Sequence, residues 1–111
     1  MIELIIKDFL DNRLSVDCFL EKQEKMPQSY VIFEKTGSSK RNHLPSSTFA
    51  FQSYAPSMYE AAKLNEDVKS VVESLIELDD ISKVSLNSDY NFTDTQTKEY
   101  RYQAVFDINH Y

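Results

Sequence analysis

Glycine occurs once in the 111 residues, at Gly37, and proline three times. Loops that cradle phosphates use backbone positions that glycine fills at least cost, so this composition nearly excludes phosphate-loop chemistry. Cysteine also occurs once, as Cys18, which rules out an intramolecular disulfide or a zinc site built from several thiolates and fits a reducing compartment. No apolar run approaches the roughly 18 residues that span a bilayer. The opening Met1-Ile2-Glu3-Leu4-Ile5-Ile6-Lys7-Asp8 mixes acids among its apolar residues, unlike a secretory signal. The expected location is therefore the cytoplasm of the cell that makes the protein. Basic residues are in deficit, 12 against 18 acids, for a formal charge of -6. Because nucleic-acid affinity comes from Lys and Arg displacing counterions, direct DNA or RNA binding is disfavoured.

What is present suffices for a single core. Hydrophobic residues make up 41% of the chain and aromatics 13%, and two independent cores would each be too small to stand alone. The expectation is one domain over residues 1–111.

Ile2, Ile5, Ile6 and Phe9 follow helical spacing, and Asp11 and Asn12 should end that helix. From Leu14 the period becomes two: Leu14, Val16, Cys18 and Leu20 share one strand face, with Phe19 on the other. A polar loop from Glu21 to Gln28 leads to a second strand, Tyr30–Glu34, and a third runs from about Thr48 to Tyr54 until Pro56. Between them, Gly37 to His43 has the composition of a loop with a positive tip. Ser57 and Glu60 have capping-box spacing. Ala61, Leu64, Val68, Val71, Leu75 and Leu78 then form the apolar stripe of an amphipathic helix, with Lys63, Glu66, Lys69 and Glu73 on the solvated side. Ile81–Leu86 reads as a strand, Asn87–Gln96 as a polar turn region, and Glu99–Asn109 as a long alternating strand. The order α-β-β-β-α-β-β predicts an α+β domain: a mainly antiparallel sheet of about five strands with two helices packed on one face.

Catalytic and metal signatures are weak. Cys18 falls in an apolar series, where a thiol is inert. His43 in a polar loop and His110 near the end suit surface imidazoles. Asp79, Asp80, Asp89 and Asp94 lack the spacing and the glycine of a calcium loop. No catalytic, cofactor or metal residue is assigned, and the chain is expected not to be an enzyme. The remaining candidates belong to an interface: Lys40, Arg41 and His43 in the positive tip, and Tyr90 and Phe92 in the polar turn region, where aromatic rings suit protein contacts.

Two stretches carry a resemblance. Phe49-Ala50-Phe51-Gln52-Ser53-Tyr54-Ala55-Pro56-Ser57-Met58-Tyr59-Glu60-Ala61-Ala62 resembles the segment of siphophage tail-terminator proteins where a strand ends in a Ser-Tyr-Ala-like turn and an alanine-containing helix begins. Ser88–Asp94 with Tyr100–Ile108 is similar to the closing turn and strand of related prophage proteins of low-GC Gram-positive bacteria. The resemblance covers about the C-terminal two thirds.

It implies a virion protein assembled in the bacterial cytoplasm. Subunits of that family form a ring, usually a hexamer, at the head-proximal end of the tail tube. The ring stops tube polymerisation and joins the tail to the head. The implied partners are further copies of the chain, the major tail-tube protein and a head-completion protein, with DNA passing through but not bound specifically, no membrane and no cofactor. Six copies at -6 each repel one another, which can keep the free subunit monomeric. The rival readings are a head-completion (stopper) protein, a small cytoplasmic adaptor, and an acidic inhibitor of a host enzyme.

Overall fold

The computed structural model describes residues 1–41 and 44–111. The first helical stripe becomes α1 (Ile2–Arg13), which buries Ile2, Ile6, Phe9 and Leu10. Ile5 is only half-buried. Asp11 and Asn12 continue the helix instead of ending it, because Lys7 pairs with Asp11 at 2.7 Å and the Asn12 amide donates to the Asp8 carbonyl at 2.8 Å. Leu10, four residues after Ile6, shares the buried face.

Five strands form one sheet in the order β1-β2-β3-β5-β4. β1 is only Asp17–Phe19, with Cys18 buried and Phe19 turned to the opposite face, and it pairs in parallel with Tyr30–Ile32. Leu14 and Leu20 lie outside it. β2 (Tyr30–Arg41) and β3 (Leu44–Tyr54) are much longer than the sequence pattern indicates. Gly37–Arg41 is strand, not loop: Gly37, Ser38, Ser39 and Lys40 pair with Thr48, Ser47, Ser46 and Pro45. The ladder slips between Lys35 and Gly37, leaving Thr36 unpaired in a bulge where its hydroxyl donates to the Thr48 carbonyl at 3.3 Å.

α2 (Met58–Glu73) starts where its cap predicts, with Ser57 Oγ accepting from the Glu60 amide at 3.2 Å. It buries Ala61, Leu64, Asn65, Val68 and Val72. Val71 and Leu78 pack against the core but are only half-buried, and Val72, which the stripe as read omitted, is fully buried. A 3-10 turn at Ser74–Glu77 then tightens the spiral, which sets Leu75 three residues after Val72 on the same face. β4 (Ile81–Asn91) continues through residues expected to be turn, and β5 (Arg101–His110) completes the sheet. Between them Asp94 accepts the amides of Gln96 at 3.0 Å and Thr97 at 3.3 Å, and Lys98 takes the left-handed conformation at φ 57. These two amides hold the Asp94 carboxyl below its ordinary pKa.

Both helices pack on one side of the sheet, over Phe33, Phe49, Phe51 and Phe106, all fully buried. Phe33 stacks on Phe51 at 5.5 Å, and Phe106 meets Phe51 edge-on at 5.9 Å. No helix among the described residues is long and apolar enough to cross a membrane. Charge divides between the two layers. α1 holds three acids and two bases, and Met58–Asp80 holds seven acids and two bases. The rest of the chain has eight of each, so the formal -6 lies entirely on the helical side.

Candidate assembly interface

Among the described residues no helix covers the second face of the sheet. In strands the side chains alternate between faces. Burying Val31, Phe33, Phe49 and Phe51 under the helices therefore turns Tyr30, Ile32, Gln52 and Tyr54 outward. At one end of this open face Tyr30 and Tyr54 stack with ring centres 4.6 Å apart, flanked by Phe19 and Met26. Burial pushes the Tyr30 phenol above its ordinary pKa.

Beside that stack five residues from three strands, with Phe92 just after β4, close a circuit of contacts. Arg101 donates to the Tyr54 hydroxyl at 3.1 Å, and Tyr54 donates to Gln52 Oε1 at 3.1 Å. Gln52 donates to Gln103 Oε1 at 2.8 Å, and Gln103 donates in turn to the Tyr90 hydroxyl. Tyr90 meets Phe92 edge-on at 5.8 Å, and the Arg101 guanidinium lies over Phe92 at 4.6 Å while donating to its carbonyl at 2.7 Å. Each polar group here has its partner before any ligand arrives. Tyr54 and Gln103 are buried, so the aromatic area offered is that of Tyr90 and Phe92, with little ordering left to do on contact. At its border Lys22 pairs with Glu99 at 2.9 Å, and that hydrogen bond raises the Lys22 pKa.

The other end of the face is polar. Asp107 accepts from Thr48 at 2.7 Å and from Asn87 at 3.1 Å, beside a shallow hollow lined by Ser39, Ser46, Lys83 and Ser85.

Tyr90 and Phe92 therefore come together as one patch, Tyr90 on β4 and Phe92 just after it. Lys40 and Arg41 do not join them. Tyr90 is level with Ile32 across the ladders, and Lys40 lies eight residues further along β2, about 26 Å at the usual strand rise. His43 falls outside the described residues. Arg101, Tyr54 and Gln103 were not singled out from sequence, because each sits in an alternating strand series that gives no sign of what lies across the ladder.

On the helix side Lys69 is not part of a solvated face. Its ammonium meets Asp89 at 2.6 Å and Glu66 at 3.0 Å, and Asp89 also accepts from the buried Asn65 amide at 2.7 Å. The Asp89 bond, first, raises the Lys69 pKa. This clamp fastens the far half of β4 to α2.

Burial pushes the Cys18 thiol up to about 12, so it stays protonated at neutral pH. His110 is half-buried, not a free surface imidazole: its Nε2 lies 3.0 Å from Ser47 Oγ. Ser47 is only 1% exposed. Among the described residues no three His, Cys, Asp or Glu side chains converge as a metal-binding group. Compared with known proteins, the chain matches no family model and no curated protein.

Proposed function

We propose that the chain is a structural subunit of a long-tailed phage particle, forming the ring that closes the head-proximal end of the tail tube and receives the head. The observation that carries this reading is a sheet face on which the exposed Tyr90 and Phe92 rings are already ordered by the Arg101 circuit. Such a surface suits protein contact, since aromatic and Arg side chains dominate the energetics of interfaces. The resemblance of Phe49–Ala62 and Tyr100–Ile108 to tail terminators supports the same role, with the tube protein and a head-completion protein as partners. A protein in that role needs a stable scaffold and contact surfaces, not an active site.

The test is a phage lacking this gene. Overlong tubes that never join heads are expected. Tubes of normal length that still fail to join would transfer the chain to the stopper role, and normal infectious particles would remove both.

A further inference from the structure

The sheet ends in two unpaired edges. At one, β1 covers only Tyr30–Ile32, so the outer side of β2 from Phe33 to Arg41 has no strand partner among the described residues, and its side chains are exposed from Glu34 to Lys40. At the other, β4 pairs with β5 on one side only. Register slips at Ser82 and Asn87 divide it into two unbroken stretches, Lys83–Leu86 and Ser88–Asn91, of which the first stands level with β2 from Lys35 to Ser39. Beside that stretch, between α2 and β4, runs a groove of about 440 Å³ lined by Glu66, Lys69, Ser70, Glu73, Ser74 and Leu86. Leu86 is 48% exposed there. Among the described residues neither Glu73 nor Lys35 has an ion-pair partner.

The ladders fix which residues stand level. Lys35 is level with Phe49, Phe106 and Leu86; Gly37 with Thr48, Asp107 and Ser85; Ser39 with Ser46, Asn109 and Lys83. β2 and β4 run in opposite directions within the sheet. A second copy in the same orientation therefore brings its β2 antiparallel to this β4, with Lys35 opposite Leu86. Lys35 lies two residues after Phe33, on the helix side, and so points toward the groove that holds Glu73. Gly37, Ser38 and Ser39 carry no bulk to keep the edges apart.

We infer that copies of this chain join edge to edge, Lys35–Ser39 of one protomer adding to Lys83–Leu86 of the next, with Lys35 entering the acidic groove beside Leu86. Unpaired strand edges template such addition, and a contact between two different surfaces propagates head to tail. The contact is a property of the two edges and rests on the ring reading only for closure of the array.

Gly37→Cys and Ser85→Cys variants test it. A Cβ at Gly37 meets no atom within 4 Å, so the first substitution fits. Mixed under oxidation, the two should give a covalent dimer that neither gives alone. In sedimentation at about 0.15 M salt, where repulsion is screened beyond about 8 Å, Lys35→Glu and Glu73→Lys should each weaken association by about tenfold, and the double exchange should restore it. Rings without the mixed cross-link would overturn the edge contact and leave the ring reading standing. The cross-link with open fibres would uphold the contact and overturn the ring. No cross-link, and no association of the wild-type chain either at raised salt or on tail tubes, would sink both.

Discussion

The Arg101 guanidinium lies 4.6 Å from the centre of the Phe92 ring and donates to the carbonyl of that same residue at 2.7 Å. One side chain thus fixes both the backbone and the ring of the segment leaving β4. Lysine carries the charge but not the planar fork. Arg101→Lys should lower stability by about 1 kcal/mol, a figure kept small because the group is half-exposed. Urea midpoints measure that loss. A midpoint equal to wild type would show that the circuit holds without its guanidinium.

The α2 stripe gives a sharper test, since Val72 is fully buried and its neighbour Val71 is not. Val72→Asp places an unpaired carboxylate in the core and should abolish cooperative melting by circular dichroism. Val71→Asp, which can reach water, should still melt cooperatively, though earlier than wild type. The reverse ranking would mean that the helix is rotated.

Asp89 joins Lys69 and the buried Asn65 to the far half of β4. Asp89→Ala leaves the Asn65 amide without its acceptor and should cost about 2–3 kcal/mol. Hydrogen exchange should rise chiefly in Asn87–Asn91. Uniform exchange changes across the sheet would argue against a local clamp.

Cys18 supplies a pH signature. Its thiol titrates at about 12 in the fold against 9.0 as the ordinary value. The unfolded chain therefore loses this proton first, and the stability tied to the protonated thiol is complete below pH 9 and lost as pH rises toward 12. Over that window wild type should lose stability faster than Cys18→Ala. Parallel stability curves for the two proteins would dismiss the effect.

Periodicity located the elements but not their ends. Period-two runs at Tyr30–Glu34 and Ile81–Leu86 marked true strands, and the Ser57–Glu60 cap marked a true helix start. Gly37–Arg41 and Asn87–Asn91 look like loops because they lie on sheet edges, where one side meets water and the residues are Ser, Asn, Lys and Asp. Such residues are ordered by the ladder beside them, and a ladder is invisible along the chain. The omission of Val72 has a similar origin, since the 3-10 turn at Ser74 changes the period in mid-stripe. In the candidate interface Tyr90 and Phe92 stood out only as two aromatics in a polar stretch, and their edge-on contact was not legible. The Arg101, Tyr54 and Gln103 members depend on register across three strands and were not legible either.

The uneven placement of charge gives the molecule a front and a back. With ten acids against four bases on the helical side and eight of each elsewhere, the chain is an electric dipole whose negative pole lies over α1 and α2. An approaching polyanion turns it before touching it, pushing the helices away and leaving the sheet toward the visitor, within the roughly 10 Å over which fields persist at 0.1 M salt. Orientation is thereby decided in solution, ahead of contact.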